Sequence, residues 1–248
     1  MGQYDRRLPL HGTLAMNQPL AQVRIVGITQ PIQSIGLSSP DNLLVYMARV
    51  SNPTSQRQNA PADKLIRYLI RRKEWSPFEM INVAMEITTT RDIGRQILRH
   101  KSAAFQEFSQ RYALADNFVL REARMRHQTN RQSSIPCTDK ATRASWAKAQ
   151  REVWDGAKKA YRWAIKAGIA PEVARVVLPE GMTVTRLFMS APLRTWIHYI
   201  ALRTDDYVDP TTGETVIPTQ YEHRLIAEAA RAEIFRAFPS IAAALEEK

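Results

Sequence analysis

The chain has 248 residues; 35 Lys and Arg against 24 Asp and Glu leave a net charge of +11, and 44% of the residues are hydrophobic. This is the balance of a folded globular protein and excludes disorder as the main state. No run approaches the apolar length of a membrane span, and the opening MGQYDRRLPLHGTLAMNQ lacks the apolar core of a secretory signal, so a cytoplasmic protein is expected. A single cysteine, Cys137, excludes an intrachain disulfide and any metal site built from several thiolates.

Residues 1–20 carry neither helical nor strand period and are expected to form an arm, leaving 21–248 as one domain. Val23–Thr29 alternates like a strand. Asp41 is expected to cap a helix through Leu44, Met47 and Val50. A second helix, Pro61–Lys73, stacks Leu65, Ile66, Leu69 and Ile70 on one stripe. Ile81–Thr89 changes period: Ile81, Val83, Met85 and Ile87 alternate with Asn82, Ala84, Glu86 and Thr88, as in a strand with one buried face. Thr90 can cap a helix that runs to about Ser102. Residues 116–139 read as loop with short pieces of order, and 141–167 as a long amphipathic helix closed by Gly168. A short helix from Pro171, a strand Met182–Met189 and a helix Leu193–Leu202 follow. A hairpin around Thr212 and Gly213 and a final helix Tyr221–Phe238 complete the chain. Without regular βαβ alternation, the class is α+β, a single domain with a mixed or antiparallel sheet packed by helices.

From Arg91 to Arg131 nine Lys or Arg accompany four Asp or Glu, so 41 residues hold +5 of the +11. Such a segment reads either as a solvated surface or as a site for a polyanion or a phosphate-bearing small molecule. A basic nucleic-acid-binding protein without catalysis is therefore one function class to weigh. Within the segment, Gln96, Arg99 and His100 share a face of the expected helix, away from Ile93 and Ile97. If the next run is extended, Glu107, Ser109 and Arg111 point to one side, and Phe108, Gln110 and Tyr112 to the other. Guanidinium forks with a hydroxyl and a carboxylate suit a small polar anion; the plainer alternative is a surface ion pair between Glu107 and Arg111.

Arg99–Tyr112 (RHKSAAFQEFSQRY) resembles the signature of the flavin-dependent thymidylate synthases. The family reads Arg-His-Arg, a spacer, Asn or Gln, Glu, an aromatic or apolar residue, Ser, any residue, Arg, Tyr. The likeness extends, in the family's order, to WSPFE (75–79), NRQS (130–133), ARVVLP (174–179), LRTWIHYIALRT (193–204) and TQYEHR (219–224). It implies an FAD enzyme that converts dUMP to dTMP, with methylenetetrahydrofolate as carbon donor and NADPH as reductant. It also implies a homotetramer whose four sites each take residues from several subunits. Position by position, the resemblance implies that Ser109, Arg111 and Arg175 hold the dUMP phosphate and sugar with Gln96 and Arg99. Arg203 is implied as the catalytic residue at the uracil ring, where fixed positive charge favours the ionised N3 or enolate form and makes C5 nucleophilic. Arg99, His100, Lys101 and Glu107 are implied to meet the flavin, with Glu107 also counted on the substrate side. Arg194 and His198 are implied at a further part of the flavin, and Ser76 near its phosphates.

Three positions depart from the family pattern. Lys101 stands where Arg is frequent, replacing a bidentate fork by a point charge. Glu74 and Met80 flank the Ser-Pro-Phe-Glu block and are left outside the site. At 100° per residue Arg203 falls 140° from His198, so it joins the site only if the helix ends near it or another subunit supplies it. Methylation at C5 needs carbanion character, and a cysteine adding to C6 is one solution. Cys137, in SSIPCTD, has no adjacent His or basic helix start to lower its pKa and reads as a bystander. Ser109 has no evident neighbouring base, so its role is binding. His11, His127 and His223 lack partners at metal spacing, so no metal is expected. Trp146, Trp154 and Trp163 read as core or subunit packing. Without a Gly-rich phosphate loop, a Rossmann-type FAD site is not expected.

Overall fold

The alternation in the ninth decade of the chain is realised in β2 (Asn82–Thr90), in which Val83, Met85 and Ile87 are fully buried. A computed structural model describes residues 21–52, 61–111, 117–127, 134–208, 213, 215–216 and 219–246. The expected arm at 1–20, His11, Tyr112, the NRQS block and Thr212 lie outside the described residues. β2 pairs antiparallel with β1 (Gln22–Ile28) on one side and β6 (Val184–Pro192) on the other. The short β3 (Ala104–Glu107) pairs antiparallel with β6 at the far edge, giving the order β1-β2-β6-β3. Of the two sheet types expected, the antiparallel one forms.

Helices cover one face of this sheet. α1 (Pro40–Ala48), α2 (Ala62–Arg72), α6 (Leu193–Thr204), α7 (Tyr221–Ala237) and α8 (Pro239–Glu246) contribute Leu44, Ile66, Trp196, Ile234 and Ile241 to one core with Met85, Ile87 and Met189. The other face carries Glu86, paired with Arg24 at 3.1 Å, and leaves Val26 and Phe188 exposed. A separate core forms where α4 (Lys140–Lys166) lays Trp154, Tyr161 and Ala164 against Leu178 and Met182, with Phe118 stacked on Trp154 at 4.5 Å. α5 (Pro171–Ala174) adds Ala174 to this second core, and β4 (Arg124–Arg126) pairs with β5 (Ser134–Pro136) in a two-stranded antiparallel ribbon. The expected hairpin is present as β7 (Tyr207–Val208) paired with β8 (Thr215–Val216).

Both ends of the β2 and β6 pair are locked to a helix start. α3 (Arg91–Ile97) follows β2 directly, and the Arg91 backbone N–H donates to Thr183 O at 3.0 Å. α6 follows β6 directly, and the Leu193 N–H donates to Ile81 O at 2.7 Å. Because the strands run in opposite directions, the two helices start at opposite ends of the sheet, and their C-terminal ends meet: the His100 and Tyr199 rings lie 5.5 Å apart, edge to face.

Several expectations are corrected. Ser39, not Asp41, caps α1, its hydroxyl accepting from the Asn42 N–H; Asp41 is buried instead and accepts from the Ser240 N–H of α8, a helix the sequence analysis did not predict. α3 stops at Ile97 rather than near Ser102, because the ladder tightens: Arg99 N–H reaches Gln96 O and His100 N–H reaches Ile97 O, turning the chain back toward β6. Past Glu107 the run is not extended; Gln110 is buried, while Arg111 donates its N–H to the Ser109 hydroxyl in a local turn. Of the three tryptophans on α4 only Trp154 is core, while Trp146 and Trp163 are exposed. Trp196 donates its indole N–H to Val83 O at 3.0 Å, tying α6 to β2. Trp196→Phe is expected to lower unfolding free energy by about 1–3 kcal/mol through that lost bond, read from urea melts.

Candidate active site

Two polar groups surround the ends of α3. Gly94 lets this helix sit on β6: a Cβ there would meet Thr185 Cγ2 at 3.2 Å and Glu107 Oε1 at 3.5 Å. Beside it, Glu107 Oε1 accepts from the Thr185 hydroxyl at 2.8 Å and lies 3.4 Å from Arg91 Nη1. Arg91, Arg95 and Gln110 line a cavity of about 360 Å³ with Glu172, Arg175 and Glu180. Arg95 is gripped by both oxygens of Glu180, which holds the Glu180 carboxyl below its ordinary range. Arg175 donates from Nε to Glu172 O. Ser109 and Arg111, on either side of Gln110, belong to this neighbourhood by chain connection.

The second group gathers at the far end of α3. His223 is fully buried; its Nδ1 is 3.2 Å from Gln96 Oε1 and its Nε2 is 3.0 Å from the Tyr199 hydroxyl. Gln96 Nε2 donates to Gln220 Oε1 at 2.7 Å, and Gln220 Nε2 donates to Glu222 Oε2 at 2.9 Å. Arg203 stands in the last turn of α6, so the helix does end near it. It is half-buried, its Nε is out of water with no hydrogen-bond acceptor, and no ion pair to it occurs among the described residues. Burial, then His198, then Arg203 hold His100 below its ordinary pKa. Burial, then Arg203 and His100, push His223 down to about 3. Burial raises the Tyr199 phenol, with Arg203 opposing, so its O–H stays a donor.

Arg194 and His198, expected on one face, do share one. With Trp75, Glu79 and Ser102 they line a cavity of about 510 Å³ whose wall is completed by Ile70, Ile197 and Phe235. Glu79 pairs with Arg194 at 2.6 Å. Ser76, Arg99 and Lys101 are exposed on turns beside these walls. The substrate residues expected as one set are thus divided: Glu107, Ser109, Arg111 and Arg175 lie with the first group, Gln96 and Arg203 with the second, and Arg99 is exposed on the turn that follows α3. Sequence reasoning missed Arg91, Arg95, Glu79, Tyr199 and Gln220, and gave His223 no role. The family blocks offered a signal for some of them: Glu79 lies in WSPFE, Tyr199 in LRTWIHYIALRT, and Gln220 with Glu222 and His223 in TQYEHR.

Four cations of the basic segment are paired where they lie: Arg95 with Glu180, Arg91 with Glu107, Arg124 with Glu122, and Arg121 with Asp92 and Glu222. Among the described residues no cluster of three or more His, Cys, Asp or Glu has metal-binding geometry, and no helix is long and apolar enough to cross a membrane. The fold and site define an α+β protein with cationic clusters suited to anionic ligands.

Residues 35–240 match the family described as Thymidylate synthase complementing protein. A flavin-dependent thymidylate synthase of Synechocystis sp. is 43% identical over 226 residues, covering 90% of this chain and 99% of that protein. A protein of Paramecium bursaria Chlorella virus 1 named "Probable flavin-dependent thymidylate synthase" is 38% identical over 224 residues, covering 90% and 98%. The fold is shared with a UMP/dUMP methylase, PolB, from Streptomyces cacaoi, solved with 5-Br dUMP: TM-score 0.76, 24% identity, 94% of this chain and 97% of that one. The chain belongs to the flavin-dependent thymidylate synthase family.

A histidine buried neutral resists protonation in the folded state only. Since 6.5 is the ordinary value and about 3 the folded one, the unfolded chain takes up the proton first as pH falls. The stability His223 contributes is therefore complete above the ordinary value and declines as pH drops toward the folded one, by up to about 1.4 kcal/mol per unit. Urea midpoints of the parent are expected to fall more steeply across this window than those of His223→Asn; equal slopes would assign the decline to other groups.

Proposed function

We propose that this chain forms dTMP from dUMP as an FAD enzyme, using methylenetetrahydrofolate as carbon donor and NADPH as reductant, in a cytoplasmic homotetramer. The observation that carries the chemical part is Arg203: a half-buried guanidinium with its Nε desolvated and no carboxylate partner among the described residues. Its neighbours Tyr199, His100 and His223 are all groups that burial keeps uncharged. A fixed positive charge with no internal counter-ion interacts most strongly with negative charge that develops on a ligand, as it does on a uracil ring becoming nucleophilic at C5. Cys137 offers no alternative nucleophile, being buried at the ribbon end with its thiol donating to Asp139 O at 3.7 Å.

The cavity along α6 fits a flavin in its chemistry: an apolar wall of Ile70, Ile197 and Phe235 for a flat ring, and Arg194, Lys73 and His198 for phosphates and ring oxygens. His100 adds a buried Nε2 with no hydrogen-bond partner. When bound, the flavin supplies the hydride that this methylation consumes. Arg194, His198, His100, Arg99, Lys101, Ser76 and Glu107 are the residues we assign to hold it, and Arg91 keeps the Glu107 carboxylate in place. Arg175, with Arg111 and Ser109, is assigned to the nucleotide phosphate, a role supported by its place in the cavity with Arg91 and Arg95, where those two are paired with carboxylates and Arg175 donates only to the Glu172 carbonyl among the described residues.

Division of the substrate residues between two groups supports a site completed by a second subunit. So does the apolar surface left uncovered: Trp146, Val153 and Trp163 on α4, and Val26 and Phe188 on the open sheet face. The purified protein is expected to be yellow and, after anaerobic reduction, to form dTMP from dUMP and methylenetetrahydrofolate. Arg203→Ala should retain the flavin and lose at least about a hundredfold in turnover; normal turnover would remove Arg203 from the chemistry. For Arg175→Ala, the KM for dUMP is expected to rise about tenfold or more, the usual worth of a charged hydrogen bond, and an unchanged KM would place the phosphate elsewhere.

A further inference from the structure

Gln96, Gln220, Glu222, His223 and Tyr199 form an unbroken chain whose direction is fixed at one end. A carboxylate only accepts, so Gln220 must present its Nε2 to Glu222 Oε2 at 2.9 Å, with Arg121 3.7 Å from that same oxygen. Gln220 Oε1 then faces Gln96, and Gln96 must present Nε2 to it, at 2.7 Å. That leaves Gln96 Oε1 facing His223 Nδ1, which is satisfied only if Nδ1 carries the proton. Nε2 is then the acceptor, and the Tyr199 hydroxyl, with no competing charge to serve, donates to it at 3.0 Å. Reversing any one amide or the histidine tautomer would set acceptor against acceptor somewhere along the chain. These contacts span three helices and the turn that precedes α7: Gln96 on α3, Tyr199 on α6, His223 and Glu222 on α7.

We propose that Glu222, Gln220, His223 and Tyr199 are positioning residues whose chain dictates which way the Gln96 amide faces, and so which donor and acceptor it offers the nucleotide. The inference rests on the assignment of Gln96 to dUMP made above. With one N–H bound to Gln220 and one lone pair of Oε1 bound to His223, Gln96 keeps one N–H and one lone pair for a ligand, both in fixed places. An amide free to flip would offer these in either order, and half of its arrangements would oppose the nucleotide.

Two isosteres separate orientation from bulk. In His223→Asn the shorter side chain can keep an N–H where Nδ1 stands, so the donor to Gln96 survives. In His223→Gln the longer one keeps a polar atom where Nε2 stands, so the Tyr199 contact survives and the Gln96 contact does not. We expect His223→Gln to raise the KM for dUMP about tenfold with kcat changed far less, and His223→Asn to stay within about threefold of the parent, at similar unfolding midpoints. Gln96→Ala should raise that KM as well, and the double variant Gln96→Ala, His223→Gln should add nothing further, because the histidine acts through the amide. If His223→Gln does not fold, Glu222→Gln replaces it, since an amide at that end can donate as well as accept, which frees the direction of the whole chain, and the KM for dUMP is expected to rise several-fold. Equal KM values in the two His223 variants, or additive effects in the double variant, would overturn the inference while leaving Gln96 at the nucleotide. An unchanged KM in Gln96→Ala would overturn both the inference and the assignment beneath it.

Discussion

Everything in the site hangs on the antiparallel pairing of β2 with β6. Nine residue pairs run from Asn82 opposite Pro192 to Thr90 opposite Val184, and each strand passes without a loop into a helix. The bonds from Arg91 N–H to Thr183 O and from Leu193 N–H to Ile81 O extend the ladder past each end, so the helices inherit their starting points from the sheet. Opposed strands give opposed helices, and the polar residues in their last turns converge over the same core. Slipping this register by one residue would turn Val83, Met85 and Ile87 to the open face and drive the two helices to new positions together.

How much of this was legible in the sequence follows from how local each cause is. The period of two in β2, the stripe Leu65, Ile66, Leu69 and Ile70, and the Gly168 stop at φ 83 depend on neighbours within a few residues, and all were readable. The end of α3 was not, since the helix gives way where the chain must return to pair with β6, a partner some eighty residues later. Nor was the break after Glu107, where alternation yields to a turn that buries Gln110. His223 was dismissed for lack of metal partners; its actual partners, Gln96 and Tyr199, are 127 and 24 residues away and make it part of a polar chain. The family motifs implied one set of substrate residues, but a motif carries no information on which chain of an assembly supplies each member.

Charge placement tells the same story at the scale of the molecule. A net +11, of which Arg91–Arg131 hold +5, invites an electrostatic reading, yet four guanidinium groups of that segment, Arg91, Arg95, Arg121 and Arg124, are paired with carboxylates. Arg121 joins Asp92 and Thr90 at the start of α3 to Glu222 on α7. What marks Arg203 within this population is an Nε that is out of water with no hydrogen-bond acceptor, in a side chain with no ion pair among the described residues, and only the folded arrangement reveals it.

The two hydrophobic cores carry a consequence of their own. Trp154, Tyr161 and Phe118 are packed apart from the cluster beneath the central sheet, and Gln150 of the long helix is bonded to the Arg121 backbone near their border. A molecule assembled this way has two cooperative units with separate opening free energies. The long helix can therefore detach and re-dock as a sub-global fluctuation while the ladder beneath stays closed, and amide protons of α4 would exchange with solvent well ahead of those in β2 and β6.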